Sequence, residues 1–92
     1  MTNQAVLQLL GLAARARKVI SGEELVVKEI RNGNAKLVLL ASDAAANSSK
    51  KIQDKCTYDH VEYYVFGDRY DLGHATGKEH RVAIAISDSG FA

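Results

Sequence analysis

A glycine followed by two acids and a lysine is the first pattern in this sequence that has the residue types for chemistry. Ser21 and Gly22 precede a segment that begins with Glu23 and Glu24, and Lys28 lies one helical turn after Glu24. At a helix start, free backbone amides favour phosphate, while Glu24 and Lys28 offer an acceptor and a donor on one face. Such a pair predicts contact with the exposed edge of a guanine. The alternative is an ordinary surface ion pair, because this order of charges is favourable on any helix.

A second group of cations lies in residues 77–81, just before the last predicted strand. Lys78, His80 and Arg81 follow a glycine there, and a histidine or arginine can stack on an unstacked base. An exposed polar loop without a ligand is the alternative. Arg69 lies near the start of a short predicted helix, where a cation is unfavourable for the helix itself, and this placement suggests a partner.

Catalytic and metal-binding patterns are absent from the sequence. There is no Gly-rich phosphate loop, nucleophile elbow or His/Cys dyad, and Ser42 with Asp43 is read as a helix-start signal rather than an active-site acid. The three histidines lack the short spacing of zinc ligands. Cys56 lies four residues after Ile52, which favours a small core residue over a reactive thiol. We therefore predict no enzyme activity, no metal and no cofactor.

Size and composition indicate one domain, spanning residues 1–92. The chain is 47% hydrophobic and 25% charged, without an apolar run long enough for a membrane span and without a basic signal-peptide start, so we expect a cytoplasmic protein. The net charge is only +1, but residues 1–36 carry six basic and three acidic residues, which gives this part +3. The ending at Phe91 and Ala92 suggests a chain that continues into another helix.

Hydrophobic periodicity predicts helices that alternate with strands. In chain order these are a helix over 6–14 with a basic end at 15–18, a short strand at 19–20, a helix from 23 to a stop at Gly33, a buried strand over 37–41, a helix over 48–56, a strand over 63–66, a short helix capped by Asp68 and ending near Gly77, and a buried strand over 82–86. This alternation predicts an α/β fold, a three-layer α/β/α sandwich with a four-stranded mixed sheet.

Residues 22–42 read GEELVVKEIRNGNAKLVLLAS and are followed by Asp43 and Ala44. This segment resembles the signature of the archaeal and eukaryotic ribosomal-protein superfamily that binds kink-turn RNA. The longer stretch over residues 9–45 is most similar to the bacterial branch of that superfamily. Residues 61–63 and 71–77 also fall where the superfamily has corresponding segments, so the resemblance covers essentially the whole chain.

The resemblance implies how such a protein holds its RNA. In the superfamily, the first turn of the second helix enters the widened groove beside tandem sheared G·A pairs. Gly22 and Lys28 match that motif directly. Glu24 and Leu25 stand where archaeal and eukaryotic members have Asn and Glu, so base contact by Leu25 is not expected and Glu23 and Glu24 are the available acceptors.

The resemblance also implies a second RNA contact, in a later part of the chain. The superfamily's loop before the last strand covers a flipped-out nucleotide, and Arg69 falls where relatives carry a basic residue near that base. Residues 77–81 are more polar than the corresponding loop of relatives, which implies a more electrostatic contact.

The sequence therefore predicts an RNA-binding protein whose partner is a structured, kinked RNA. We expect it to be ribosomal or ribosome-associated, with rRNA among the candidate ligands, and to be a monomer when free. One alternative is a protein-interaction or ribosome-assembly adaptor that has lost base-specific readout. Another is a substrate-binding module that serves an RNA-modifying enzyme in trans.

Overall fold

Four strands form a mixed sheet at the centre of the protein. The structure, a computed structural model, describes residues 3–87. Its strands are β1 (Val19–Ser21), β2 (Leu37–Leu40), β3 (Glu62–Val65) and β4 (Ala83–Ile86). They lie in the order β1-β4-β2-β3, with β4 antiparallel to both neighbours and β2 parallel to β3. The predictions about the chain start, Phe91 and the side chains of residues 6 and 7 concern parts outside this description.

The two middle strands are buried along their whole length. Every residue of β2 and β4 is buried, as the unbroken apolar runs LVLL and AIAI require. Because successive side chains of a strand point to opposite faces, Val38 and Leu40 belong to one core cluster, and Leu37 and Leu39 to another. A sheet with two apolar faces must be covered on both sides.

Two helices cover each face of the sheet. The helices are α1 (Asn3–Arg15), α2 (Glu23–Arg31), α3 (Ala46–Tyr58) and α4 (Arg69–Ala75). Buried residues of α2 and α3 fill one cluster, whereas Leu10 of α1 and Leu72 of α4 fill the other. The predicted four-stranded mixed sheet in an α/β fold is confirmed, with one helix pair on each face.

Local signals at two helix ends are also confirmed. The Asp68 carboxylate accepts the N–H groups of Tyr70 and Asp71 at 2.9 Å, and the Asp71 carboxylate accepts the N–H of Asp68 at 3.2 Å. This reciprocal pair is a capping box that begins α4. Gly33 follows the C-cap of α2 with φ of 79°, a left-handed conformation that glycine adopts without cost.

Most of the predicted boundaries shift by one to three residues, and α3, for example, spans Ala46–Tyr58 rather than 48–56. Strand β3 is an outer strand with mostly exposed side chains, and it begins at Glu62 rather than at residue 63. Strand β4 begins at Ala83, although the carbonyl of Val82 still accepts one N–H from Ala41. Helix α4 ends at Ala75, before Gly77, because the N–H of residue 78 and the hydroxyl of residue 76 both bond back to its last carbonyls.

Cys56 is a core residue, as its spacing predicted. Its side chain is fully buried on α3 in the same cluster as Ile52. Burial, together with the nearby negative charge of Asp59, raises the pKa of the Cys56 thiol to about 11. A thiol with this pKa is protonated at neutral pH, so it lacks the thiolate that a nucleophile needs.

The raised pKa of Cys56 predicts a loss of stability in alkaline solution. In the unfolded chain the thiol ionises near its ordinary pKa of 9.0, whereas in the folded protein it stays protonated to about pH 11. The free energy of unfolding should therefore fall between these two pH values, by about 2 to 3 kcal/mol. Urea denaturation at pH 8, 9, 10 and 11 checks this, with Cys56→Ala as the control that keeps every other titrating group. Parallel pH profiles for the two proteins would contradict the assignment.

Candidate nucleic-acid interface

The start of α2 presents backbone amides that no side chain caps. Gly22 is the N-cap residue, with φ of 102°, and no side chain of the described residues accepts a hydrogen bond from the first turn. The Gly22 N–H donates to the Ala83 carbonyl at 3.2 Å, which ties this turn to the start of β4. A Cβ on Gly22 would meet nothing within 4 Å, so the space beside this residue is open. The exposed amides and the helix dipole together favour an anionic ligand.

The two acids of this turn have different partners. The Glu23 carboxylate accepts the Ser48 hydroxyl at 2.9 Å and lies 3.9 Å from the Lys51 ammonium, so it links α2 to α3. Glu24 is exposed, and within residues 3–87 it makes no side-chain hydrogen bond or ion pair. Of the two predicted acceptors, Glu24 is therefore the one left available to a ligand.

Lys28 is exposed one turn after Glu24 on the same helix. Among the described residues the ion pairs are those of Lys51 with Glu23 and of Arg69 with Asp43, and none joins Glu24 to Lys28. The structure thus lacks the surface ion pair that was the alternative explanation of this spacing. A donor and an acceptor remain side by side, both open to solvent.

Residues 77–81, which we name the β4 loop, run closely along α4. A Cβ on Gly73 would lie 2.5 Å from the Cα of His80, so only glycine allows the loop to pass at this distance. The Arg81 N–H donates to the Arg69 carbonyl at 2.9 Å, and the His80 ring lies edge-on to Tyr70 with centroids 6.3 Å apart. These contacts fix the loop against the start and middle of α4.

Arg81 joins the β4 loop to the start of α2. Its Nε donates to the Ser21 hydroxyl at 3.3 Å, and one terminal nitrogen donates to the His80 carbonyl at 2.6 Å. Ser21 is the residue before Gly22, so the two segments that the sequence singled out separately, 60 residues apart, meet at this hydrogen bond. Lys78, on the same loop, lies beside an open groove that Ser21 and Leu25 also line.

Arg69 has a partner within the chain. The Asp43 carboxylate accepts the Arg69 backbone N–H at 2.9 Å and its Nε at 3.1 Å, and the Asp43 carbonyl accepts a terminal guanidinium N–H at 2.8 Å. The carboxylate offsets the unfavourable cation at the start of α4 and also satisfies one of that helix's free amides. The interpretation of Ser42 and Asp43 as a helix start is wrong, because α3 begins at Ala46 behind Ala45 and without a side-chain cap.

Sequence reasoning missed the residues that position the site. Asp43 holds Arg69, Gly73 admits the β4 loop, and Tyr70 contacts His80. The sequence shows an aspartate after a buried strand and a glycine inside a helix, but neither pattern identifies the residue that is contacted. Within residues 3–87 no group of three His, Cys, Asp or Glu residues is placed to hold a metal ion. None of the described helices is long and apolar enough to cross a membrane.

Comparison with known proteins identifies the family to which this chain belongs. The model of the family described as "Ribosomal protein L7Ae/L30e/S12e/Gadd45 family" matches residues 4–92. The chain belongs to this family, and the resemblance found in the sequence is confirmed.

Individual relatives make the assignment more specific. The chain is 60% identical, over 84 residues, to the RNA-binding protein YlxQ of Bacillus subtilis, which covers 91% of this chain and 84% of that protein. It is 38% identical over 79 residues to the large ribosomal subunit protein eL30 of Methanosarcina mazei, with 85% and 74% covered.

Solved structures give the same result. A protein with unknown function from Bacillus halodurans C superposes with a TM-score of 0.90 at 50% identity, covering 92% of this chain and 86% of that one. The Giardia lamblia 15.5kD RNA binding protein superposes with a TM-score of 0.80 at 23% identity, covering 90% and 71%, and shows that the fold is shared.

Replacing Gly22 should destabilise the protein through its backbone. At a φ of 102° an L-residue is strained even though the surrounding space is open, so Gly22→Ala should lower the free energy of unfolding by about 1 to 3 kcal/mol. Gly11→Ala is the matched control, because Gly11 lies within α1 and its added Cβ would make only ordinary contacts at 3.9 Å. That variant should be neutral or stabilised by about 0.5 to 1 kcal/mol. Equal effects in urea denaturation would contradict the strained conformation.

Proposed function

We propose that this protein binds RNA through the first turn of α2 and the adjoining β4 loop. The observation that carries this proposal is the position of Glu24 and Lys28 one turn apart on α2, beside a helix start that no side chain caps. Both side chains are exposed, and neither has an ion pair within the described residues. Amides suit a phosphate, and the two side chains suit the donors and acceptors of a base edge. The similarity to a protein named as RNA-binding, at 60% identity, supports the same ligand class.

The RNA is proposed to be a kink-turn with tandem sheared G·A pairs. Regular A-form RNA hides its major groove from side chains, so a base-reading surface of this size requires a distorted site whose guanine edges are accessible. Gly22 and Lys28 match the motif with which the superfamily contacts such pairs. The similarity to eL30 proteins makes an rRNA site or a ribosome-associated RNA one candidate target.

The β4 loop and Arg69 are proposed to contact the nucleotide that leaves the kink. Arg69 uses two of its five side-chain N–H groups on Asp43, and Arg81 uses two on neighbouring oxygens, so both guanidiniums keep donors in fixed directions. Lys78 and His80 are exposed on the same loop. Because Asp43 offsets the charge of Arg69, we expect Arg69 to contribute directed hydrogen bonds to the RNA more than electrostatic attraction.

An adaptor that recognises protein rather than RNA bases is the second candidate. It is favoured by Leu25, whose side chain is 54% exposed where archaeal and eukaryotic members of the superfamily carry an acid. An exposed leucine at this position removes one base acceptor and adds apolar surface. The RNA experiments below separate the two candidates, since an adaptor of this kind binds without regard to base identity.

Lys28 should matter more for RNA affinity than an exposed charge alone. A donor aimed at a guanine edge supplies about 1 to 3 kcal/mol, so Lys28→Ala should weaken binding to a kink-turn RNA about 5-fold to 150-fold, with unchanged thermal stability. Lys50→Ala is the matched control, because Lys50 is exposed on α3 and has no ion pair in the described structure. Fluorescence anisotropy at fixed salt measures both variants. Equal losses would mean that Lys28 acts only as a surface charge.

Recognition should depend on the sheared pairs themselves. Replacing both G·A pairs by Watson-Crick pairs removes the accessible guanine edges and keeps the number of phosphates, so affinity should fall strongly. In a doubly labelled RNA, the protein should also shift the population from extended to bent, seen as a shorter end-to-end distance at constant magnesium. Unchanged affinity after the replacement would reject the kink-turn and favour a nonspecific contact or the adaptor.

A further inference from the structure

An open groove of about 690 Å³ runs next to α2 along the outer edge of β1, which pairs with no other described strand. Strand β1 forms its floor, and Leu25 and Glu29 of α2 form part of its wall. At one end is Lys78 of the β4 loop, whose Arg81 reaches Ser21. The RNA surface proposed above ends at this same place, so the groove continues that surface around the side of α2.

The other end of the groove carries a second lysine. The Lys36 N–H donates to the Ile86 carbonyl at 2.8 Å, and Ile86 pairs with Val19, the first residue of β1. Lys36 therefore lies at the opposite end of the strand from Ser21. Its ammonium donates to the Gly33 carbonyl at 3.1 Å, which leaves two of its three N–H donors for another partner.

The floor of the groove offers peptide groups that pair with no residue in the part of the chain that the structure describes. The Gly22 N–H bonds to Ala83 and the Lys18 carbonyl accepts from Ser87, so the even-numbered residues of this strand point toward β4. Because the direction alternates along a strand, the N–H and C=O groups of Val19 and Ser21 point away from the sheet. Two amide donors are thus added between the two lysines.

The wall of the groove sets where a charged ligand can lie. Leu25 is half-exposed, and the Glu29 carboxylate, held by the Asn34 amide at 2.6 Å, repels phosphate from the middle of the groove. A ribose or base fits this middle part, since its 2′-hydroxyl or amino groups can donate to a carboxylate. Phosphates then fit the lysines at the two ends.

We propose that this groove binds the RNA strand that leaves the first turn of α2, with Lys36 as a phosphate-binding residue at its far end. The inference rests on the proposed RNA-binding function and extends it to a new surface. The four residue-to-residue steps from Lys18 to Gly22, which flank β1, span about 13 Å. A stacked strand rises about 3.4 Å per nucleotide, so the groove holds up to about four nucleotides.

A scan with neutral phosphates tests this assignment. Single methylphosphonates are placed along both strands of a kink-turn RNA, and each RNA is measured with the unaltered protein, Lys36→Gln and Lys50→Gln. We expect one position, within about four nucleotides of the sheared pairs, where a neutral phosphate lowers the RNA affinity of the unaltered protein about threefold to tenfold. At that position the affinity of Lys36→Gln should not change. Lys50→Gln should keep the full loss at that position. Absence of any position coupled to Lys36 overturns the proposal.

Two further readouts separate this inference from the proposed function. Lys36→Gln should lower the slope of log affinity against log salt by about 0.7, the value for one phosphate of a single strand, whereas Lys50→Gln should not change it. A 2′-deoxy substitution in the RNA next to the coupled phosphate should lower the affinity of the unaltered protein more than it lowers the affinity of Glu29→Gln. If only the discrimination between sheared and Watson-Crick pairs is lost, the kink-turn proposal is rejected and the groove proposal is still supported. Equal slopes for the two lysine variants reject the groove, and a peptide along β1 then becomes the better occupant.

Discussion

The insertion of β4 between β1 and β2 is the constraint on which the rest of the structure depends. Strand β4 is the last of the described strands along the chain, yet it lies in the middle of the sheet. It pairs with β1 on one side and with β2 on the other, and so joins the two. Its alternating alanines and isoleucines fill the two cores, small side chains toward α2 and α3 and large ones toward α1 and α4. The Gly22 N–H bonds to its first residue, so the placement of β4 also sets the position of the start of α2.

The candidate site has its geometry because short-range contacts hold two loops that are distant in sequence. Gly73 lets the β4 loop lie against α4, and Arg81 then reaches Ser21 across the sheet edge. Asp43 holds Arg69, and the Arg69 carbonyl accepts the backbone N–H of Arg81 in the β4 loop. A surface with several fixed hydrogen-bond directions discriminates by shape, which suits a protein whose net charge is only +1.

Differences among similar side chains decide which residues are available to a ligand. Glu23 and Glu24 are adjacent and chemically identical, yet the first is engaged by α3 and the second is exposed. Lys28 and Lys36 both keep free donors, but they face opposite ends of the proposed RNA path. Leu25 lines the groove beside β1, so it belongs to a different surface from Glu24 and Lys28. The leucine that replaces the superfamily's acid at residue 25 therefore lies in the wall of this groove.

The sequence by itself determined the elements, because the signals for them are local. The apolar run over β2, the capping aspartate Asp68 and the stop at Gly33 each act within a few residues, and all three were predictable. It also marked the residues around Gly22 and the β4 loop as candidates for binding. Only the tertiary structure decided that these segments meet and that Asp43 binds Arg69 instead of starting α3. It also decided that Glu24 has no side-chain partner among the described residues. Such facts depend on contacts between residues tens of positions apart, which neither periodicity nor spacing records.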